Sequence, residues 1–188
     1  MIDKIFSITK KICDYGIMLQ GAFLLFMTFY ICIDVFSRKL FSYSIKGSIE
    51  LSEYSLAAMS GWIFSYALLT KAHVRIDILY MKLPIKVKIF LDLLSSISLL
   101  IFFIPLVYYS FSFFYTSFVR KSVANTPMHT PLWIPQGFWI IGLVFFVWTV
   151  FLYLIREAHL VIKGEFIRAY LFGGISSVEE EIEKEKGQ

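Results

Sequence analysis

Few groups in this 188-residue chain could do chemistry, and they are mostly carboxylates and cations at helical spacing. Asp34 and Arg38 are four residues apart and share a helix face, which suits an ion pair at a membrane interface. Together with Glu50 and Glu53 they could instead form a cluster at one mouth of the protein that binds another chain. Glu50 and Glu53 are three apart and also share a face. Their alternative role is that of anions in a helix's first turn, where the macrodipole favours negative charge. The three histidines, His73, His129 and His159, fall in three separate segments and form no common site. No HExxH, GxSxG or phosphate-cradling glycine loop occurs. Catalysis is therefore not expected, and neither a cofactor nor a metal site is assigned to this chain.

Cys13 and Cys32 lie near opposite ends of one apolar stretch, which as a helix separates them by about 28 Å. That distance excludes an intrachain disulfide. With no CxxC pair present, thiol redox chemistry is not expected either.

The elements that position these groups are membrane spans. The chain is 58% hydrophobic and 17% charged, with 20 Phe, 11 Tyr and 4 Trp, whereas soluble domains are about 25% charged. Four windows lack Lys, Arg, Asp and Glu altogether: Tyr15–Ile33, Tyr54–Thr70, Leu93–Val119 and Ser122–Ile155, the last apolar from Pro131. About 20 apolar residues cross a core of about 30 Å. The sequence thus predicts an all-α integral membrane protein with four transmembrane helices, at about residues 13–35, 49–70, 90–119 and 132–156. They form a single membrane domain over residues 1–172, followed by an acidic cytoplasmic tail over 173–188. The third window is long enough to require tilt, a bend near Pro105, or emergence into water.

Basic residues fix the expected orientation. Lys4, Lys10 and Lys11, then Lys71, Arg75, Lys82, Lys86 and Lys88, then Arg156, Lys163 and Arg168 lie on one side, against Arg38, Lys39, Lys46, Arg120 and Lys121 on the other. The positive-inside rule puts both termini in the cytoplasm and the first and third loops outside. The formal net charge of +4 is mostly this excess and calls for no nucleic acid. The first apolar window has no small-residue cleavage site and reads as an uncleaved helix rather than a signal peptide.

The connections carry their own signals. Gly47-Ser48 marks the start of the second helix, with Ser48 a possible N-cap. Pro84 starts the third helix, and Ile85–Phe90, mixing basic and apolar residues, suits a segment at the inner headgroup surface. Pro127, Pro131 and Pro135 forbid a regular helix through all three, so the fourth span begins near Pro131 or Pro135. Trp133 and Trp139 suit the outer aromatic belt. The second span is rich in small residues, among them Ser55, Gly61 and Ser65, which allow close helix packing either within this chain or against a partner subunit.

Autonomous transport is poorly supported. No ionisable residue falls near a span's midpoint and no internal repeat is found. A self-assembling homo-oligomeric exporter is the alternative, and Asp34 is the only carboxylate it could use.

Three runs carry a family resemblance. Asp34-Val-Phe-Ser-Arg38-Lys-Leu-Phe41 followed by Ile45-Lys-Gly47-Ser48-Ile-Glu50-Leu-Ser-Glu53-Tyr54 resembles the first-to-second helix signature of the small permease subunits of TRAP transporters, the DctQ-like proteins. His73-Val-Arg75-Ile-Asp77 resembles the element after that family's second helix. Pro131-Leu-Trp133-Ile-Pro135-Gln136, with Gly142, resembles the start of its fourth. The resemblance covers about residues 10–160. It departs where the family often has Trp or Gly-rich packing and an Arg, and this chain has Tyr66, Leu68 and Lys71.

The resemblance implies a bacterial inner-membrane subunit that pairs with a large, multispanning DctM-like permease, which binds substrate and sodium. A periplasmic substrate-binding protein would deliver an organic acid such as a C4-dicarboxylate or sialic acid. The small subunit would stabilise the permease and help dock the binding protein. On this reading Asp34, Arg38, Gly47, Glu50 and Glu53 serve partner contact or docking. His73, Arg75 and Asp77 anchor the cytoplasmic side, and Trp133, Pro135 and Gln136 begin the fourth helix.

Overall fold

The computed structural model describes residues 2–72, 80 and 83–173. Its described residues form five helices and no strand: α1 (Ile2–Phe41), α2 (Ser48–Leu69), α3 (Ile85–Val119), α4 (Trp133–Ile162) and α5 (Phe166–Gly173). Three stretches are long and apolar enough to cross a membrane: Asp3–Phe41, Ile85–Val119 and Trp133–Ile162. At about 1.5 Å per residue, α1 and α3 run to about 60 and 52 Å, well beyond a hydrocarbon core of about 30 Å. The helix bounds therefore overshoot the expected spans. α3 starts after Pro84, continues through Pro105, and has Ile85–Phe90 in its first turns. α2, 22 residues long, has the expected bounds. Its serines and glutamates leave it too polar to qualify as a span on composition alone.

α4 is the centre of the bundle, packing against α2 and α3, while α1 leans on α2. Between α2 and α4 the backbones touch. A Cβ built on Gly61 would lie 2.1 Å from the Gly142 carbonyl carbon, so nothing larger than glycine fits that crossing. On the other side of α2, Gly16 of α1 lies flat against the Trp62 ring, which stacks on Phe145 at 4.5 Å. The buried small residues of α2, Ser55, Gly61 and Ser65, thus face this chain's own interior. The serine hydroxyls donate to carbonyls one turn back, Ser55 to Leu51 at 2.6 Å and Ser65 to Gly61 at 2.9 Å, so they need no partner from elsewhere. Leu68, Phe146, Val150 and Tyr153 form the buried apolar core, closed by Phe103 edge-on to Phe146 at 4.6 Å.

One helix start differs from the sequence expectation. Gly47, not Ser48, occupies the cap position of α2, and no side chain caps it. α4 begins at Trp133, between the two prolines, with Pro135 in its first turn, where a missing N–H costs nothing. After α4 the chain turns at Gly164, whose φ is +74°, and α5 folds back across α3 and α4, burying Ala169 and Gly173. Tyr153 donates to the Phe172 carbonyl at 2.9 Å and Lys71 to the Leu171 carbonyl at 2.6 Å, which satisfies the end of that helix. Cys13 and Cys32 are both free. His73, Arg75 and Asp77, and the tail from residue 174, lie outside the described residues.

Candidate functional site

One end of the bundle, where residues 42–47 and 120–132 join the helices, forms a mouth built on Asp34. This side chain is fully buried although it closes a long apolar run. Arg38, one turn on, makes the ion pair that the spacing predicts. Two further donors come from beyond the helix. The Ile45 N–H donates to Asp34 Oδ1 at 2.7 Å, and the Ser48 hydroxyl donates to Oδ2 at 2.6 Å. A carboxylate removed from water is stable only with such donors. Asp34 therefore fastens the end of α1, the first loop and the first residue of α2 together.

Gly47 is required twice over. Its φ of +85° is unfavourable for any residue with a Cβ, and a Cβ there would lie 1.7 Å from Met128 Sδ. Met128 belongs to the third loop, a compact hairpin in which Val123 bridges Pro131 and the Ala124 N–H donates to the Thr130 carbonyl at 2.9 Å. That loop folds over the start of α2. Glu50 is 6% exposed. It accepts a hydrogen bond from Tyr54 Oη at 2.8 Å, and the side chains of Thr126 and Thr130 lie against it.

The expected acidic cluster is thus divided. Asp34 and Arg38 are joined, Glu50 occupies an adjoining pocket, and Glu53 stands on the surface with Arg38 partly exposed beside the mouth. Trp133 packs edge-on against Phe118 of α3 at 5.7 Å, Pro135 is buried, and Gln136 Oε1 is buried with no hydrogen-bond donor.

Below the mouth, α1, α2 and the start of α4 enclose an apolar groove of about 540 Å³. Leu19, Phe23, Tyr54, Ala58, Pro135 and Phe138 line it, and Gln20 reaches its wall from α1. Gln20 Oε1 is buried and has no donor. The side-chain amides of Gln20 and Gln136 were not singled out as a pair in the sequence, because only the folded chain shows which polar ends lack partners.

At the opposite end two carboxylates that sequence reasoning passed over come together. Asp92 of α3 and Glu157 of α4 are buried, the latter completely. Tyr80 donates to Asp92 Oδ2 at 2.5 Å. A Cβ on Gly173 would lie 2.6 Å from Glu157 Oε1 and 3.5 Å from Asp92 Oδ2, so the end of α5 is glycine where both carboxylates converge. The available signal was that Asp92 borders a charge-free window and Glu157 lies two residues past the end of another.

Among the described residues, no three His, Cys, Asp or Glu gather as a metal ion would require. Asp34 is engaged by a hydroxyl, an amide and a guanidinium, and Glu50 Oε1 by the Tyr54 hydroxyl, a chemistry that fastens helices together. The sequence matches, over residues 27–159, the family described as the DctQ component of tripartite ATP-independent periplasmic transporters. Comparisons with curated proteins and with solved structures give no match.

Proposed function

The chain belongs to the DctQ family, components of tripartite ATP-independent periplasmic transporters and not enzymes, and from that premise we propose that it is the small scaffold subunit of a sodium-coupled, binding-protein-dependent importer of an organic acid. Its partners are a large DctM-like permease, which holds substrate and sodium, and a periplasmic substrate-binding protein. It sits in the bacterial inner membrane, with four crossings and both termini in the cytoplasm. α2 is the remaining crossing: its buried polar residues, Ser48, Glu50, Ser55 and Ser65, are turned inward, so a modest hydropathy is compatible with a place inside the bundle.

The observation that carries this reading is the Asp34 junction. It lies inside the matched region, and it makes the mouth a rigid platform from a carboxylate whose two oxygens are occupied by Arg38, Ile45 and Ser48. A carboxylate so engaged suits a scaffold and not an exporter's proton site. In this reading Asp34, Gly47 and Glu50 shape the platform from within, while Glu53 and Arg38 are the side chains a binding protein can touch. The groove beside Gln20 receives a permease helix, whose hydrogen-bond donor satisfies the buried amide oxygen.

Detergent co-purification tests the assembly. A large multispanning permease should remain bound to the tagged chain, and its absence from every preparation of membranes that perform the uptake would overturn the proposal. Cysteine labelling tests the orientation in a Cys32→Ser background. Met128→Cys should react with an impermeant reagent from outside, and reaction only from the cytoplasm would reverse the topology.

A further inference from the structure

At the end of the bundle opposite the mouth, α4, α5 and the start of α1 enclose a cavity of about 870 Å³, within the size range of small-ligand sites. Its polar wall is predominantly basic: Arg156, His159, Lys163 and Arg168 face Asp3 and Glu165. We propose that this cavity binds the headgroup of an anionic phospholipid, taking its phosphodiester between Arg156, Lys163 and Arg168.

Arg156 is preorganised for the task. Its guanidinium carbon lies 4.4 Å from the Phe6 ring centroid and 4.5 Å from that of Phe172, so two rings hold the planar group. A guanidinium fixed in this way matches the bidentate geometry of a phosphate. Its partner Asp3, at 2.9 Å, is 82% exposed, and Arg168 pairs at 2.9 Å with Glu165, itself an exposed contact one turn away. Such surface pairs are worth about 1 kcal/mol or less and yield to a phosphodiester anion held by several cations. The Lys163 side chain makes no ion pair or hydrogen bond among the described residues. The wall therefore keeps an uncompensated positive charge.

Apolar side chains near these cations favour a lipid over a dissolved phosphate. Leu160 and Leu171 line the cavity, and Ile162, 84% exposed, and Ile167, 69% exposed, are next in sequence to Lys163 and Arg168. Large apolar side chains beside cations are unfavourable in water and favourable where headgroup meets acyl chain. This placement rests on the membrane reading of α4, whose apolar run ends at Ile155, just before Arg156.

The test is native mass spectrometry of the full chain, with its co-purifying partners, released from detergent containing equal amounts of phosphatidylglycerol and phosphatidylcholine. Retained phosphatidylglycerol should exceed phosphatidylcholine, and the variant carrying both Lys163→Gln and Arg168→Gln should lose about fivefold of that excess for each cation removed. Lys39→Gln with Lys121→Gln, at the mouth end, should leave it unchanged. Equal retention of the two lipids, or an excess indifferent to the first double substitution, would overturn the proposal. Full displacement by inorganic phosphate would overturn it in favour of a soluble anion.

Discussion

Ser48 Oγ lies 2.6 Å from Asp34 Oδ2, a hydrogen bond between two helices across fourteen residues of chain. It converts a carboxylate that the sequence places in a local ion pair into the junction of the mouth. The local pair and the long-range bond make different demands on the protein, and substitutions separate them.

Asp34→Ala should remove three acceptor contacts and leave the buried Ser48 hydroxyl and the half-buried Ile45 amide without partners, at a cost of about 3 kcal/mol. Arg38→Ala should cost about 1 kcal/mol, since Arg38 is 43% exposed and Asp34 retains its other donors. Thermal unfolding in detergent checks the order. An Arg38→Ala loss equal to that of Asp34→Ala would place the stabilisation in the ion pair instead.

Gly61→Ala should separate α2 from α4, because its Cβ meets backbone that cannot rotate away. The expected loss is about 3 kcal/mol. Gly21→Ala is the matching control: a Cβ there meets nothing within 4 Å, and alanine in a helix interior gains up to about 1 kcal/mol. Unfolding midpoints for both variants in the same detergent measure the contrast.

Glu50 and Glu53 should behave oppositely despite their shared spacing. Glu50→Gln should lower the unfolding midpoint, since its carboxylate is enclosed by Tyr54 and the third loop. Glu53→Lys should leave the midpoint within about 0.5 kcal/mol of the parent. It should slow association with the binding protein, most clearly at low salt. Surface-plasmon association rates on the reconstituted complex provide that reading.

Gln20→Leu should leave the isolated chain as stable as before, or more so, because an unpartnered amide oxygen is removed from an apolar groove. Its effect should appear on the complex: retention of the permease should fall about three- to tenfold, the range for one interhelical hydrogen bond in a membrane. Quantified co-purification measures it.

Much of this fold is legible in residue order. Charge-free windows locate the long helices because a hydrocarbon core excludes charge over a fixed length, and the spacing of Asp34 and Arg38 announces their pairing. What is not legible depends on contacts between distant segments. Asp92 and Glu157 look like ordinary helix-end charges until α5 brings Gly173 against both. Gly47 reads as part of a helix start, yet half its necessity comes from Met128, far along the chain. The serines of α2 were compatible with an inward or an outward face. The touching backbones of Gly61 and Gly142 turn the buried ones inward, a matter of three-dimensional proximity that periodicity does not encode.

The same contact has a mechanical consequence. Where Gly61 meets Gly142 there is no side chain to compress, so α2 and α4 bear on each other as two beams joined at a hard point. A load applied to α2 at the mouth is delivered to α4 without the slack of a soft interface. α4 in turn carries the seat of α5 at the far end through Tyr153. The mouth and the seat of α5 are thus linked through a contact with little room to give.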